Sequence, residues 1–585
     1  MQCSSDRLAS PGDHGLSNGR WRSVHSYLLL TASTILCLVP FSGRAFNVDD
    51  TLFIWAAKNI AQHPLNPYGF QLIWETTRTG MANITQNPPL ASYYAAMLGS
   101  VLGWSERTLH LGFLLPAIAL VLGTYRLAQK FTKVPLLAAF ATLLTPGVLV
   151  SASSVMCDTM MVAIWIWAAV LWIDGLETSN RYLLVASSAL MALSALTKYF
   201  GVSLIFLVFA YSIVRNRRPG PWAWYLLIPI AVLFLYQLWT VKLYGHGLLF
   251  GAAQYAFNKR NQEGEFFAVK LLLGISYTGG CALAGWLMAP SLGLRKAMLG
   301  GLLLGGLASV SLLIGSIDMV QHASDTFTRV ARSQHWLLIA TQLALCIGGG
   351  FFVLSLAGFL CWRERSAESL FLALWIAGTL FFAAFLNWTM NARSVLPLVP
   401  AVGILVARQF DRVRPLAGRS LVPKVALALV VSGVVSIWMA AADAELANSA
   451  RTAAMRISEK FQDHGGTVWF GGHWGFQYYM ESLGGRAVDW EHPDLAPGDY
   501  LIVPHNNAWV KTIDSKYVAA VDTVEVPMHS WASTFSWELG AGFYDYFWGP
   551  LPYAIGPAPA ERYTVMQLAP SAAGVFQPSS TRQGE

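Results

Sequence analysis

The chain has 585 residues, of which 55% are hydrophobic and only 12% charged, with a mean hydropathy of +0.46. Soluble proteins carry about 25% charged residues, so the composition argues against an ordinary cytosolic enzyme. The formal net charge of +7 comes from basic residues dispersed in short clusters between apolar runs, the pattern of topology determinants rather than of a nucleic-acid-binding face.

Residues 1–26 are polar, with Arg7, Arg20 and Arg22 ahead of the first apolar run at 27–41. No small-residue cleavage site precedes Arg44, so this run reads as an uncleaved first span rather than a signal peptide. Further apolar runs lie near 109–127, 134–150, 156–173, 182–196, 200–214, 222–243, 268–288, 297–317, 336–360, 370–386, 395–406 and 422–442. Together they predict about thirteen membrane-spanning helices. Alternate connections are basic: Lys130 and Lys133, Arg181, Arg215 with Arg217 and Arg218, Arg295 and Lys296, Arg363 and Arg365, and Arg408 through Lys424. The positive-inside rule then makes these loops and the N-terminus cytoplasmic, and an odd number of spans puts the C-terminal tail outside.

The expected organisation is a cytoplasmic tail at 1–26, a transmembrane domain at 27–442 and an extracytoplasmic α/β domain at 443–585, in the plasma (inner) membrane. Three outer loops are long, at 43–107, 244–267 and 318–335, which places function on that face. The six cysteines, Cys3, Cys37, Cys157, Cys281, Cys346 and Cys361, all precede the tail, so the tail is not disulfide-stapled, and no Cys/His spacing resembles a zinc site. Gly301 and Gly305 form a GxxxG pair inside an apolar run, a signal for close helix packing.

The first outer loop opens Phe46-Asn47-Val48-Asp49-Asp50-Thr51, and Phe53, Ala56, Ala57, Ile60 and Ala61 recur with helical spacing. This predicts an amphipathic helix on the membrane surface. Two acids at a helix start have a plain structural use, one as N-cap and one facing the dipole. Neighbouring helical residues point about 100° apart, so at most one of Asp49 and Asp50 faces a given site. Asn87-Pro88-Pro89-Leu90 leads into a second amphipathic segment with Leu90, Tyr93, Tyr94, Met97 and Leu98. Asp158 stands at the outer start of a span, Lys198 lies between two spans on the outer side, and Arg393 opens another span from outside. An acid so placed needs a partner or a polar cavity. Single cations of this kind are most often snorkelling side chains, but together Lys198 and Arg393 point to an anionic ligand at the outer interface.

In their order and spacing these features resemble the membrane-embedded type C glycosyltransferases, in particular relatives of protein O-mannosyltransferases and of the lipid A aminoarabinose transferase. The resemblance covers about 27–442 and rests on Asp49-Asp50 where the family usually has Asp-Glu, on Asn87-Pro-Pro-Leu, on the small-residue and acid pattern ending at Asp158, on Leu196-Thr197-Lys198, and on the 393–400 stretch. Asp50 in place of Glu and Ser394 in place of the common Tyr are departures at substrate-contact positions. The resemblance implies an inverting glycosyltransferase that moves a sugar from a polyprenyl-phosphate donor to a hydroxyl of a glycan, lipid or protein. It further implies Asp49 as general base with Asp50 as its neighbour or a donor contact, and Lys198 and Arg393 as donor-phosphate ligands. Asp158 and Asn87 would orient donor or acceptor. No cofactor is implied, and the acids are too scattered in sequence to define a metal shell.

In the tail, strands are expected at 467–470, 499–503 and 521–526, with a helix at 474–483 after the glycine turn Gly471-Gly472. His473, His492 and His505 read as ordinary histidines, and the aromatic run 543–553 as core or as a sugar-stacking surface. The competing class is a secondary transporter or lipid-linked sugar flippase, in which the charges near the membrane would serve passage. The sugar, the acceptor and the oligomeric state are not legible in the sequence.

Overall fold

A computed structural model describes residues 13–263, 267–315, 333–417, 420–461 and 465–576. Among them nine helices are long and apolar enough to cross a membrane, from 23–41 to 421–461, and ten if the bent pair Pro135–Leu143 and Pro146–Ala152 is one span. That pair breaks by 62° where a single run was expected at 134–150. Pro146 offers no N–H and pushes Thr145 out of the helical region, to φ −122° and ψ 146°. The expected runs at 182–196 and 268–288 form shorter apolar helices, Arg181–Thr197 and Phe267–Cys281. The polytopic helical architecture is as expected, while the count of thirteen is not fixed by it. Of the long outer loop at 318–335, residues up to 332 lie outside the described residues.

Small residues pack the helices together and large ones face outward. A Cβ on Gly301 or Gly305 would run into the backbone of Gly348 or Ala344, so the GxxxG pair does press Arg295–Gly315 onto Trp336–Glu364. Leu36, Phe206, Leu235 and Trp362 are exposed on the outside of the bundle, as lipid-facing side chains are. The same logic corrects the reading of the second amphipathic segment. In the helix Leu90–Leu102 the buried face is Ala91, Ser92, Ala95, Ala96, Leu98 and Gly99, whereas Met97, Val101 and Leu102 are exposed. Packing against the helix Asp50–Gln62 selects the small face, because in lipid a large apolar side chain gains little by turning inward.

Between these two helices lies a short antiparallel hairpin, β1 (Gln71–Ile73) and β2 (Arg78–Gly80). The helix Leu421–Phe461 has 41 residues, on the order of 60 Å, about twice the hydrocarbon thickness. It runs without a break through position 443 and carries the chain into the tail. There β3 (Val468–Phe470), β4 (Arg486–Ala487), β5 (Tyr500–Pro504), β6 (Val518–Val526) and β7 (Glu561–Leu568) form a five-stranded sheet in the order β4-β3-β5-β7-β6. β3 is parallel to both neighbours and β7 antiparallel to its own. With the helix Trp474–Ser482, the expected α/β tail is present.

The tail is not a separate body. Between β6 and β7 the chain returns to the membrane helices, and Ala532, Phe535, Phe543, Tyr544, Tyr546 and Leu551 join their apolar core. Backbone and side-chain hydrogen bonds fix the return: Ala392 N donates to Phe543 O at 2.9 Å, Tyr546 N to Met390 O at 2.9 Å, and Tyr277 Oη to Gly542 O at 2.7 Å.

Candidate active site

The helix Asp50–Gln62 begins just beyond a strained residue. Val48 has φ +46°, a conformation that β-branched side chains rarely take, and it turns the chain so that the next two acids diverge. Asp50 points inward and is fully buried, its Oδ2 accepting from Asn47 N at 3.0 Å and its Oδ1 from Val155 N at 2.9 Å. Burial raises its carboxyl to about 6, against the pull of Arg44 and of the two backbone donors. Asp50 thus fastens the loop at 43–107 to the segment before Asp158 and does not line the cavity that Asp49 faces. Asp49 occupies the N-cap position but makes no capping bond; its carboxylate faces outward from the helix into a cavity of about 1430 Å³.

The cavity lies between the membrane helices, the outer loop and the tail, and Asp49, Asn87, Asp158, Lys198 and Arg393 all line it. Four of them form one chain of charge. Asp49 Oδ2 is 2.9 Å from Arg393 Nη2, Arg393 Nη1 is 3.9 Å from Asp158 Oδ2, and Lys198 Nζ is 2.5 Å from Asp158 Oδ1. The side chains are 28%, 10%, 2% and 20% exposed for Asp49, Arg393, Asp158 and Lys198, so water reaches the two ends more than the middle. Among the described residues Asp158 Oδ2 and Arg393 Nε are buried without a hydrogen-bond partner. Such groups are costly unless something else satisfies them.

Local structure aims each group. Asp158 sits in the first turn of the helix Cys157–Thr178 and Lys198 is the extended residue that ends Arg181–Thr197. Arg393 lies in the one-turn helix Ala392–Val395, capped by Asn391, whose Oδ1 accepts from Ser394 N and Oγ at 2.8 Å each. Ser394, the departure from the common Tyr, is buried and holds this turn, also accepting from Asn387 Nδ2 at 2.8 Å. Asn87 accepts the Tyr68 hydroxyl at its carbonyl, 2.9 Å, and its side-chain Oδ1 is 3.7 Å from Cys157 Sγ.

Behind Arg393 stands a buried cluster that sequence reading passed over. Arg44 pairs with Asp443 at 2.6 Å, and Tyr544 accepts from Arg44 Nη2 at 3.1 Å while donating to Asp443 at 2.9 Å. Thr534 Oγ1 donates to Asp443 Oδ1 at 2.6 Å, and the Tyr544 ring lies 5.5 Å from the Arg393 guanidinium carbon. An Arg just after the first span and an Asp inside the last apolar helix were the available signals, since charges there demand partners.

The tail supplies a further part of the wall, including His473, Trp474, His505, Trp509 and Trp548. His473 is buried against Gln477 and the Glu75 carbonyl, and burial lowers its pKa to about 4. His492 is exposed beside Asp489. No group of three His, Cys, Asp or Glu side chains placed to hold a metal ion occurs among the described residues.

Residues 86–239 match the family model described as dolichyl-phosphate-mannose-protein mannosyltransferase, a stretch that includes Asn87, Asp158 and Lys198. Among solved structures, ArnT from Cupriavidus metallidurans in the apo state is similar at 15% identity over 79% of this chain and 84% of that one, with a TM-score of 0.46. The same protein bound to undecaprenyl phosphate is similar at 14% identity over 82% and 93%, with a TM-score of 0.46. The Archaeoglobus fulgidus oligosaccharyltransferase in its apo form is similar at 12% identity over 80% and 64%, with a TM-score of 0.47. No curated protein matches the sequence. The family match falls on the stretch that holds three of the lining residues, so over residues 86–239 this multi-pass membrane protein is similar to the dolichyl-phosphate-mannose-protein mannosyltransferases.

Proposed function

We propose that the chain transfers a sugar from a polyprenyl-phosphate donor to an acceptor hydroxyl, with inversion, on the outer side of the membrane. The observation that carries this reading is the Asp49–Arg393–Asp158–Lys198 chain of charge on the wall of a large cavity at the outer helix ends. Its two cations and two carboxylates balance, so an arriving phosphate must compete with a carboxylate for a cation. Asp49 is the more exposed acid and the easier one to displace from Arg393. Asp158, 2% exposed and held by Lys198, stays and keeps both cations aimed.

Donor binding thereby frees Asp49. The acceptor hydroxyl gives its proton to Asp49 while its oxygen bonds to the anomeric carbon, and the electron pair of the breaking C–O bond goes to the phosphate oxygen. Arg393 and Lys198 neutralise the charge that develops there. One carboxylate suffices, because direct displacement forms no covalent intermediate. Asp50 positions this base, fixing the turn that aims it. The basic connections alternating with the spans support the extracytoplasmic side.

The test is transfer from an undecaprenyl-phosphate-linked sugar by purified protein in nanodiscs, with Lys198→Ala and Arg393→Ala alongside. Release of undecaprenyl phosphate by the wild type and its loss in both variants is the expected result. An intact donor with the wild type, together with carriage of the lipid-linked sugar across a vesicle membrane, is the result of the transporter reading.

A further inference from the structure

Among the described residues six non-glycine residues have positive φ: Val48, Ser179, Arg217, Arg365, Trp474 and Trp509. Ser179, Arg217 and Arg365 simply end helices in the left-handed conformation. The other three all line the same cavity. Val48 aims Asp49, which leaves two tryptophans, at φ +65° and +55°, in a conformation that bulky side chains avoid. Backbone strain of this kind persists where surrounding structure enforces it, and it concentrates at ligand sites.

The two tryptophans are built to one plan. Trp474 follows the end of β3 and Trp509 follows the end of β5, and these strands are adjacent and parallel. Carboxyl ends of parallel strands are where α/β sheets present ligands. Asn507 ties the two loops together, its Oδ1 accepting from His473 N at 2.7 Å and its Nδ2 donating to His473 O at 3.1 Å. The Trp474 turn also touches the catalytic segment: a Cβ on Gly475 would strike the Phe46 carbonyl. Trp548 joins the group, 5.4 Å from Trp474, with its indole N–H held by Asn506 Oδ1 at 2.7 Å. Trp509 remains 45% exposed, with Lys259 Nζ 5.6 Å from its ring.

Resting on the proposed transferase reading, we infer that the tail's strand ends form the acceptor subsite, with Trp474 and Trp509 as stacking platforms for a neutral saccharide. Sugar rings carry an apolar C–H face and a polar rim. Rigid indoles held by the backbone take the face at low entropic cost, and short polar side chains take the rim. The nearby wall carries both signs, Glu75 and Asp545 against Lys259 and Arg260, so their charges balance, as suits a neutral ring. The occupant matched to two fixed indoles and a charge-balanced rim is a neutral glycan, and a phosphorylated lipid or a peptide is left as an outcome of the test.

The test uses the full chain in nanodiscs, with no donor added, against an array of neutral oligosaccharides: α- and β-linked oligomers of glucose, mannose, galactose and N-acetylglucosamine. At least one class is expected to bind the wild type. Trp509→Gly relieves the positive φ, so it should weaken that binding at least about tenfold while the melting temperature is unchanged or higher. Trp474→Ala should lose it and Trp474→Phe keep most of it. All variants should still bind undecaprenyl phosphate. Failure of every neutral oligosaccharide to bind the wild type, or wild-type binding by both Trp509→Gly and Trp474→Ala, overturns the inference. So does tighter binding of a phosphorylated lipid or a peptide that is lost in Trp509→Gly. If the wild type binds oligosaccharide but no undecaprenyl phosphate, the donor reading fails and the platform stands.

Discussion

Replacing Asp49 by Asn separates two consequences of the charge arrangement. The variant keeps the side-chain shape and an oxygen at the N-cap position, but it can neither take a proton nor compete for Arg393. At about 4 Å between charge centres and an effective dielectric constant of about 20, the Asp49–Arg393 attraction is on the order of 4 kcal/mol gross. Asp49 is 28% exposed and Arg393 10%, so solvent returns most of that on exchange, leaving about 1 kcal/mol in favour of an incoming phosphate. Undecaprenyl phosphate should therefore bind Asp49→Asn about fivefold more tightly than the wild type. Transfer should fall at least about a hundredfold, the usual loss for a missing general base. Titration of nanodisc-embedded protein gives the first quantity and single-turnover transfer the second. Near-normal turnover in Asp49→Asn, with loss of activity in Asp158→Asn or Asp50→Asn instead, would refute the assignment of the base. Weaker lipid binding in Asp49→Asn would refute the competition for Arg393.

Lys198→Ala and Arg393→Ala should each slow transfer by about one to three orders of magnitude and weaken undecaprenyl-phosphate binding, and unchanged kinetics in both would remove the anionic-lipid reading. Tyr544→Phe deletes the hydroxyl shared by Arg44 and Asp443, and should cost about 2 kcal/mol, read as a lower melting temperature, with a smaller effect on donor binding. His473 is buried neutral with its pKa lowered from 6.5 to about 4, so the unfolded chain binds the proton first. Stability should therefore fall as pH drops from about 6.5 to about 4, by up to about 3 kcal/mol, and His473→Gln should flatten that part of the melting profile.

The membrane half was legible because lipid imposes long apolar runs and leaves charges only where partners exist. That rule singled out Asp158, Lys198 and Arg393, and the cavity does bring them together with Asp49. It also applied to Arg44 and Asp443, but each looked like an isolated flank residue until the fold joined positions 399 residues apart. The periodicity that located Leu90–Leu102 could not say which face is inside, because in lipid the small face packs and the large one does not. Asp49 and Asp50 were adjacent acids of equal chemistry in sequence; only the turn at Val48 shows that one lines the cavity and the other anchors the loop. The tail's strands were visible, yet its return to the membrane core between β6 and β7 was not. Nothing in the local pattern of 527–560 distinguishes aromatic residues that pack on their own sheet from those that pack on another part of the chain.

The most direct test is the fate of a radiolabelled undecaprenyl-phosphate-linked sugar offered to the purified protein with a neutral oligosaccharide acceptor, followed as free lipid phosphate and as anomeric configuration of the product. The wild type should release undecaprenyl phosphate and form a glycoside of inverted configuration, and Asp49→Asn should do neither while still binding the lipid. Retained configuration, or a donor left whole by a folded wild type across the range of lipid-linked sugars, would contradict the account.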